Sequence, residues 1–238
     1  MMTGDGGRIH TVGQLFGLLD GVVEGSERGD RAGAAAGEFW AGLLTTPGHP
    51  LATQLPDEAL VDWYERGLLG NLDGARVLDI GCGAGRNSRW FADQGATVAG
   101  IDLAAGLLEQ VQATMPTSVK LTALDVLRDP LPAGPFDLVY DSGCFHHIAP
   151  HRRITYLERV LPLVSRRFAV VTFAAERMDT PDDREIVMSG DTQGGMAFSL
   201  GDLQEIFDPL EPVELRAVRT DRKDAFGADF LNAALFSA

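Results

Sequence analysis

A glycine-rich turn and four aspartates are the residues of this sequence whose types and spacing point to ligand chemistry. Gly81, Gly83 and Gly85 follow an apolar segment in the stretch VLDIGCGAGRNS. Glycine lets a backbone bend sharply and approach a ligand, because it has no Cβ to clash. The aspartates, each at or near the end of an apolar segment, are Asp79, Asp102, Asp125 and Asp141. Together they predict one polar rim beside a flexible turn.

The spacing of the glycines distinguishes two kinds of nucleotide ligand. A dinucleotide-binding turn reads G-x-G-x-x-G, whereas the third glycine position here is occupied by Arg86. Asp102 is placed to accept hydrogen bonds from both ribose hydroxyls of an adenosine. Asp125 is placed to accept one from an adenine amino group, with Val126 against the ring. The pattern therefore favours an adenosine ligand that is not part of a dinucleotide.

Short apolar strands alternating with helices must position these residues. Strands too apolar to face water, joined by helices, predict a parallel sheet covered on both faces. Ligands bind such sheets at the carboxyl ends of the strands, where the aspartates fall. The predicted strands are 76–80, 97–101, 119–124, 136–141 and 168–173, and helices lie near 86–94, 104–115 and 151–164. A further helix starts at Ser199, and segments 213–219 and 230–237 predict an antiparallel hairpin at one edge.

The first 70 residues are predicted to be helical and irregular. Helical spacing of apolar residues predicts a helix over 11–24, and another follows Pro56. The sequence thus divides into a helical cover, 1–70, and a ligand-binding domain, 71–238. Four aromatic residues of the cover favour an apolar or aromatic substrate collectively, although each one singly is expected to pack in the core: Phe39, Trp40, Trp63 and Tyr64.

Three stretches resemble, in order and spacing, the motifs of class I S-adenosylmethionine-dependent methyltransferases: VLDIGCGAGRNSRWFADQGATVAGID, ALDV and FDLVYDSGCFHHI. The resemblance covers residues 74–175. It implies an α/β fold with a Rossmann-like, mostly parallel sheet of seven strands, helices on both faces and an antiparallel C-terminal edge hairpin. It also implies S-adenosylmethionine as the cofactor. GCGAGRNS is most similar to the branch of tellurite-resistance and thiopurine-type enzymes, whose substrates are small.

The resemblance also implies roles for individual residues. Gly81 and Gly83 would approach the methionine part of the cofactor, and Asp102 would hold the ribose. Asp125 and Val126 would meet the adenine. The full predicted cofactor site comprises Asp79, which shapes the turn and helps bind the amino group, with Gly81, Gly83, Arg86, Asp102, Leu103, Asp125, Val126 and Asp141.

Two histidines after the fourth strand are the candidates for a catalytic base. Methyl transfer is an in-line displacement from a sulfonium, which needs little beyond positioning and proton removal. His147 is the first candidate, because an ordinary pKa near 6.5 suits proton removal near neutrality, and His146 is the second. The alternative is that one of them packs beneath the loop and binds a backbone carbonyl. His151, Arg152 and Arg153 are predicted to form a solvated helix face.

The overall charge and composition narrow the class of partner. A net charge of −14 argues against nucleic acid, which requires a basic surface. Two cysteines, Cys82 and Cys144, are too few for a disulfide scaffold or a cysteine-rich metal site. No apolar run approaches the roughly 18 residues of a membrane span, and the N-terminus lacks a signal pattern. We therefore expect a cytoplasmic protein that acts on a small molecule, without nucleic-acid or membrane partners.

The leading hypothesis is a methyltransferase that uses S-adenosylmethionine to methylate an O, N, S or activated C atom of a small molecule, in bacterial specialised metabolism. The alternative is a cyclase or isomerase that retains the cofactor as a structural element. A non-catalytic binding protein is the third reading, and the intact acids Asp102 and Asp125 disfavour it.

Overall fold

The protein is built on one twisted, mostly parallel sheet. The computed structural model describes residues 8–26, 30–33 and 35–238. The strands are β1 (Arg76–Ile80), β2 (Thr97–Asp102), β3 (Val119–Ala123), β4 (Phe136–Ser142), β5 (Val164–Ala174), β6 (Ala197–Phe198), β7 (Glu211–Ala217) and β8 (Leu231–Ser237). Seven of them lie in the order β3-β2-β1-β4-β5-β8-β7, and the two-residue β6 pairs with β5 off this path. β8 is antiparallel to both β5 and β7, which confirms the predicted edge hairpin.

Helices connect the strands and cover the sheet. They are α1 (Val12–Glu24), α2 (Ala36–Thr45), α3 (Glu58–Glu65), α4 (Arg86–Asp93), α5 (Ala105–Gln112), α6 (Pro150–Val160), α7 (Asp183–Ser189) and α8 (Leu200–Ile206). In the ranges that the structure describes, no helix combines the length and apolar character needed to cross a membrane.

Strand β1 lies inside the sheet, which explains why the sequence is apolar at successive positions here. β1 pairs with β2 on one side and with β4 on the other, so both of its faces are covered. Val77 packs into the core on one face, and Leu78 and Ile80 pack into the core on the other. All three side chains are at most 1% exposed. This continuous burial is what a central parallel strand requires.

Local capping chemistry marks two of the shorter helices. The predicted helix at Ser199 is confirmed as α8, and Ser199 and Asp202 form a reciprocal capping box. α7 was not among the predicted elements, although Asp182 and Glu185 form the same kind of box at its start. The pattern of an acid followed three residues later by glutamate was therefore a signal in the sequence that would have located α7.

The aromatic residues of the first 70 divide into two groups. Trp63 of α3 is fully buried in the same core as Val77, and Tyr64 packs edge-on against Trp90 with the ring centroids 5.4 Å apart. Phe39 and Trp40 of α2 instead line a cavity above the sheet. Because α3 belongs to the core of the sheet, a division of the chain at residue 70 remains a prediction.

The predicted solvated face of α6 is wrong. His151, Arg152 and Arg153 are each at most 6% exposed, because α1 packs over His151 and Arg152, while Asp183 of α7 and Met196 contact Arg153. Arg152 donates hydrogen bonds to Asp20 and Asp30. The buried positive charge of its guanidinium is thus paired with carboxylates, because an unpaired charge would be costly away from water. These ion pairs fix the N-terminal helix on the sheet domain.

Candidate active site

A cavity of about 720 Å³ opens at the carboxyl end of the sheet beside β1. The strand order reverses at this position, because β2 lies on one side of β1 and β4 on the other. Such a reversal is the usual ligand site of an open α/β sheet. The predicted site residues that line it are Gly81, Gly83, Arg86, Asp102, Leu103, Asp125, Val126, His146 and His147. The cavity wall does not include Asp79 or Asp141.

The glycines of the turn are required by both conformation and space. Gly81 and Gly83 have φ angles of 65° and 53°, in the left-handed region that L side chains rarely adopt. A Cβ at Gly81 would lie 2.6 Å from the Cβ of Cys144, and one at Gly83 would lie 3.0 Å from Leu44. α4 begins directly after the turn at Arg86. The bare backbone thus forms a cradle at a helix N-terminus, suited to a charged ligand group.

Asp102 ends β2 with its carboxylate fixed toward this cradle. The backbone N–H of Gly83 donates to Oδ2 at 2.9 Å, and that of Ala104 donates to Oδ1 at 2.8 Å. Burial raises the pKa of Asp102, while these backbone donors oppose the rise. A carboxylate oxygen has two lone pairs, so both oxygens retain accepting capacity toward the cavity. This arrangement fits the two hydroxyls of a ribose.

Asp125 and Val126 follow β3 on the same rim. Asp125 Oδ1 accepts a hydrogen bond from the N–H of Leu127 at 2.8 Å, which fixes the carboxylate beside the cavity. Val126 is 9% exposed and presents an apolar surface there. An acceptor next to an apolar contact is compatible with an adenine and its exocyclic amino group, and the contact with adenine remains a prediction.

Asp79 and Asp141 position the elements around the cavity. Asp79 is 1% exposed and accepts a hydrogen bond from the Ser88 hydroxyl at 2.5 Å. The N–H groups of Cys144 and Phe145 each donate to Asp141 at 3.0 Å, and the Tyr156 hydroxyl donates at 2.7 Å. Asp141 therefore holds the turn that carries the two histidines, without reaching the cavity wall itself.

The pH dependence of stability should reveal the buried Asp79 carboxyl. Burial raises its pKa from 3.8 to about 7. A raised folded-state pKa contributes stability that is complete below the unfolded value and is lost as pH rises through 7. The unfolding free energy of the parent relative to Asp79→Asn should therefore fall by up to about 4 kcal/mol from pH 4 to pH 8. Urea unfolding of ligand-free protein measures it, and a constant difference would contradict this account.

Arg86 contacts the N-terminal segment while it lines the cavity. Its guanidinium donates to the carbonyl of Leu55 at 2.9 Å and to Asp57 Oδ1 at 2.5 Å. Asp57 Oδ2 accepts further hydrogen bonds from Asn87 Nδ2 at 2.8 Å and from the Tyr140 hydroxyl at 2.7 Å. A single buried carboxylate thus ties the first 70 residues to α4 and β4.

Sequence reasoning did not identify Asp57. An aspartate just before a helix ordinarily caps it, and the sequence offers nothing beyond that local role. In the structure Asp57 is the residue before α3, but its side chain makes no capping hydrogen bond. The carboxylate turns instead toward partners 29 to 83 positions away in the sequence.

The two histidines lie on one short turn, Phe145–His147, and are buried among aromatic rings. The ring of His147 lies 4.6 Å from that of Trp40, and the ring of His146 stacks on Phe173 at 3.9 Å. Burial lowers the pKa of His146 well below 6.5 and that of His147 to about 4. The expectation of an ordinary pKa near 6.5 is therefore wrong, because desolvation disfavours the charged imidazolium.

The segment between α7 and α8 is bonded to the histidine turn. The N–H of Met196 donates to the carbonyl of His146 at 2.7 Å, and Met196 is 2% exposed. A Cβ on Gly195 would lie 3.2 Å from the ring of His147. The glycine here permits close packing over the histidine.

The far half of the cavity is predominantly apolar and aromatic. It extends from the histidine turn toward α2 and the ends of β5 and β8. Besides the histidines of the turn, the aromatic residues on the whole cavity wall are Phe39, Trp40, His49, Phe173, Phe226 and Phe230. Phe226 lies against Arg86, whose guanidinium is 5.0 Å from the ring centroid.

The reversed strand order, the glycine cradle and the two acids at or just beyond the ends of β2 and β3 are features expected of a nucleoside-binding site on a Rossmann-like fold. Residues 77–182 match the model of a family described as a methyltransferase domain. These residues are therefore similar to a methyltransferase domain, which agrees with the resemblance of the motifs to class I S-adenosylmethionine-dependent methyltransferases. S-adenosylmethionine is the cofactor of that family.

Several similar proteins are named methyltransferases. An uncharacterized methyltransferase of Synechocystis is 35% identical over 79 residues, which are 32% of this chain and 36% of that protein. The chain aligns with only 22–39% of the length of the curated relatives it matches.

Solved structures support the fold. An S-adenosylmethionine-dependent methyltransferase from Mesorhizobium loti has a TM-score of 0.58 at 20% identity, over 74% of this chain and 97% of that one. A TehB-like methyltransferase from Corynebacterium glutamicum has a TM-score of 0.51 at 19% identity, over 80% and 98%. At such identities the likeness concerns the fold, so membership of the tellurite-resistance and thiopurine branch remains a prediction.

Proposed function

We propose that the protein transfers a methyl group from S-adenosylmethionine to a small molecule with an apolar or aromatic body. The observation that carries the proposal is one continuous cavity with two chemically different halves. One half has the glycine cradle, Asp102 and Asp125, and the other is lined by aromatic rings and two histidines.

The first half has the groups needed to hold the donor. The cradle at Gly81 and Gly83 meets the methionine part, Asp102 accepts from the ribose hydroxyls, and Asp125 with Val126 contacts the adenine. S-adenosylmethionine supplies a methyl group already activated on a sulfonium, so the protein has mainly to orient the acceptor and exclude water.

His147 is the residue we assign to the proton of the acceptor. With a pKa of about 4 its imidazole is neutral near pH 7, which leaves one ring nitrogen free to accept a hydrogen bond. Such a weak base orients an O–H or N–H of the acceptor and takes its proton only as the new bond forms. The packing of its ring on Trp40 fixes the direction of that hydrogen bond.

The proposal is tested by incubating the purified protein with methyl-labelled S-adenosylmethionine and a panel of phenols, aromatic amines and thiols. Labelled product together with S-adenosylhomocysteine supports it. Conversion of a panel compound without consumption of the donor favours the cyclase or isomerase alternative. Failure to bind S-adenosylmethionine at all would overturn the assignment of the cavity.

His147→Phe should lower turnover about 100-fold, because it keeps an aromatic ring against Trp40 and removes both nitrogens. Donor affinity should stay unchanged. Single-turnover rates with saturating donor, together with calorimetry of donor binding, separate these quantities. The matched variant His146→Phe should have the smaller effect, since His146 stacks on Phe173. Equal turnover in His147→Phe and the parent would reduce His147 to a packing residue.

A further inference from the structure

The charged side chains around the cavity are distributed unevenly. In a chain with 34 acidic and 20 basic residues, the carboxylates on the cavity wall, within the described ranges, are those of Asp102 and Asp125. Both lie in the half assigned to the donor. The other half holds Arg31 and Arg177 and no acid among the residues that the structure describes.

Arg177 follows the end of β5 and faces the acceptor half. β5 is two strands away from β1 in the sheet, so Arg177 is separated from the glycine cradle and from Asp102. Its guanidinium makes no hydrogen bond or ion pair within the described part of the chain, although the neighbouring Glu176 is bonded to Asn232. An exposed arginine without a partner at the cavity mouth is available to a ligand.

Arg31 occupies a different position. Its guanidinium lies over the ring of Phe39, 3.5 Å from the centroid, and its charge contributes to the lowered pKa of His147. The donor brings one carboxylate of its own into the cavity. The proposed donor pose directs that carboxylate to the glycine cradle in the other half, so it does not neutralise Arg177, whose guanidinium has no partner among the described residues.

We propose that the acceptor carries a carboxylate or phosphate group and that Arg177 binds this anionic group. The planar body of the acceptor then contacts Trp40, His147 and Phe173. This inference rests on the proposed function, because it names the class of acceptor for the same site. A guanidinium presents a planar fork of N–H donors that matches the oxygens of either anion. The aromatic wall provides the stacking surface for the body.

The test measures binding of paired probes by calorimetry on protein saturated with S-adenosylhomocysteine. The probes are 2-naphthoate and 2-naphthamide, which share the ring system and differ in charge. We expect naphthoate to bind about 10-fold more tightly, a modest factor because Arg177 is exposed and screened by water. A parallel titration with 2-naphthyl phosphate distinguishes a carboxylate from a phosphate acceptor. Whichever of 2-naphthoate and 2-naphthyl phosphate binds more tightly identifies the anionic group that the site prefers.

Arg177→Gln should abolish the preference for the anionic probe. The matched control is Arg184→Gln, which removes the same charge from the exposed side of α7 outside the cavity wall and should keep the preference. Loss of the preference in Arg31→Gln but not in Arg177→Gln would overturn the assignment to Arg177.

Equal binding of the two probes by the parent, or binding of neither, would overturn the anionic acceptor. S-adenosylhomocysteine binding is measured first in the same experiment, so that failure of this inference can be distinguished from failure of the proposed function. If the parent binds S-adenosylhomocysteine yet shows no anion preference, only the present inference fails. If it does not bind S-adenosylhomocysteine, the proposed function fails.

Discussion

Replacement of Asp102 by alanine is expected to weaken S-adenosylmethionine binding about 100-fold or more. The side chain is fixed by two backbone N–H groups at 2.8 and 2.9 Å, so its remaining lone pairs are oriented before the donor arrives. A hydrogen bond to a charged group contributes about 1.5–3 kcal/mol, and two ribose hydroxyls would lose their acceptor together. Calorimetry with S-adenosylmethionine measures the loss.

The control for this variant is Asp93→Ala, which removes an acid from an exposed position at the end of α4. Its donor affinity should match that of the parent. Because Asp102 also accepts from Gly83, the thermal unfolding of Asp102→Ala is recorded to verify that the turn is folded. Unchanged donor affinity in a folded Asp102→Ala protein would show that the donor does not lie where we place it.

Asp57→Ala is expected to lower the free energy of unfolding by about 3–5 kcal/mol, the cost of breaking a buried charge pair from one side. The variant leaves the Arg86 guanidinium and the Tyr140 hydroxyl without their carboxylate, at a site where Asp57 is 3% exposed. Urea unfolding of the parent and the variant at pH 7 measures the difference.

Tyr140→Phe provides a graded control for the same network. It removes one hydrogen bond and leaves Asp57 bonded to Arg86 and Asn87, so the expected loss is about 1 kcal/mol. If Asp57→Ala lowered the free energy of unfolding no more than Tyr140→Phe does, the Asp57 carboxylate would not be the centre of the network. Donor affinity should also fall in Asp57→Ala, because Arg86 lines the cavity and is oriented by Asp57.

Much of the fold follows from the order of short apolar segments and from the turn residues between them. The parallel strands, the edge hairpin and the helix at Ser199 all depend on local pattern. Hydrophobic runs, glycines with forced φ angles and capping residues are properties of a few neighbouring positions. The missed α7 had such a signal in Asp182 and Glu185, so that error concerned interpretation of the sequence.

The candidate site shows where local pattern stops being informative. Asp102 and Asp125 were located because each stands at or just beyond a strand end, where a parallel sheet places ligand contacts. Asp79 and Asp141 have the same kind of position in the sequence, yet their side chains turn to Ser88 and to the histidine turn. Which way a carboxylate turns depends on partners that the local sequence does not contain.

Burial likewise depends on distant parts of the chain. The solvated face predicted for α6 is covered by α7 and by α1, which begins more than a hundred residues earlier. The pKa of His147 is lowered because β5 and α2 place aromatic rings around it. The alternating apolar segments thus determined the fold class, and the glycine turn VLDIGCGAGRNS, with the acids that follow it, determined the methyl donor. Only the tertiary structure decided the environment of the histidines, the role of Asp57 and the position of Arg177 at the cavity, since each depends on how distant segments pack.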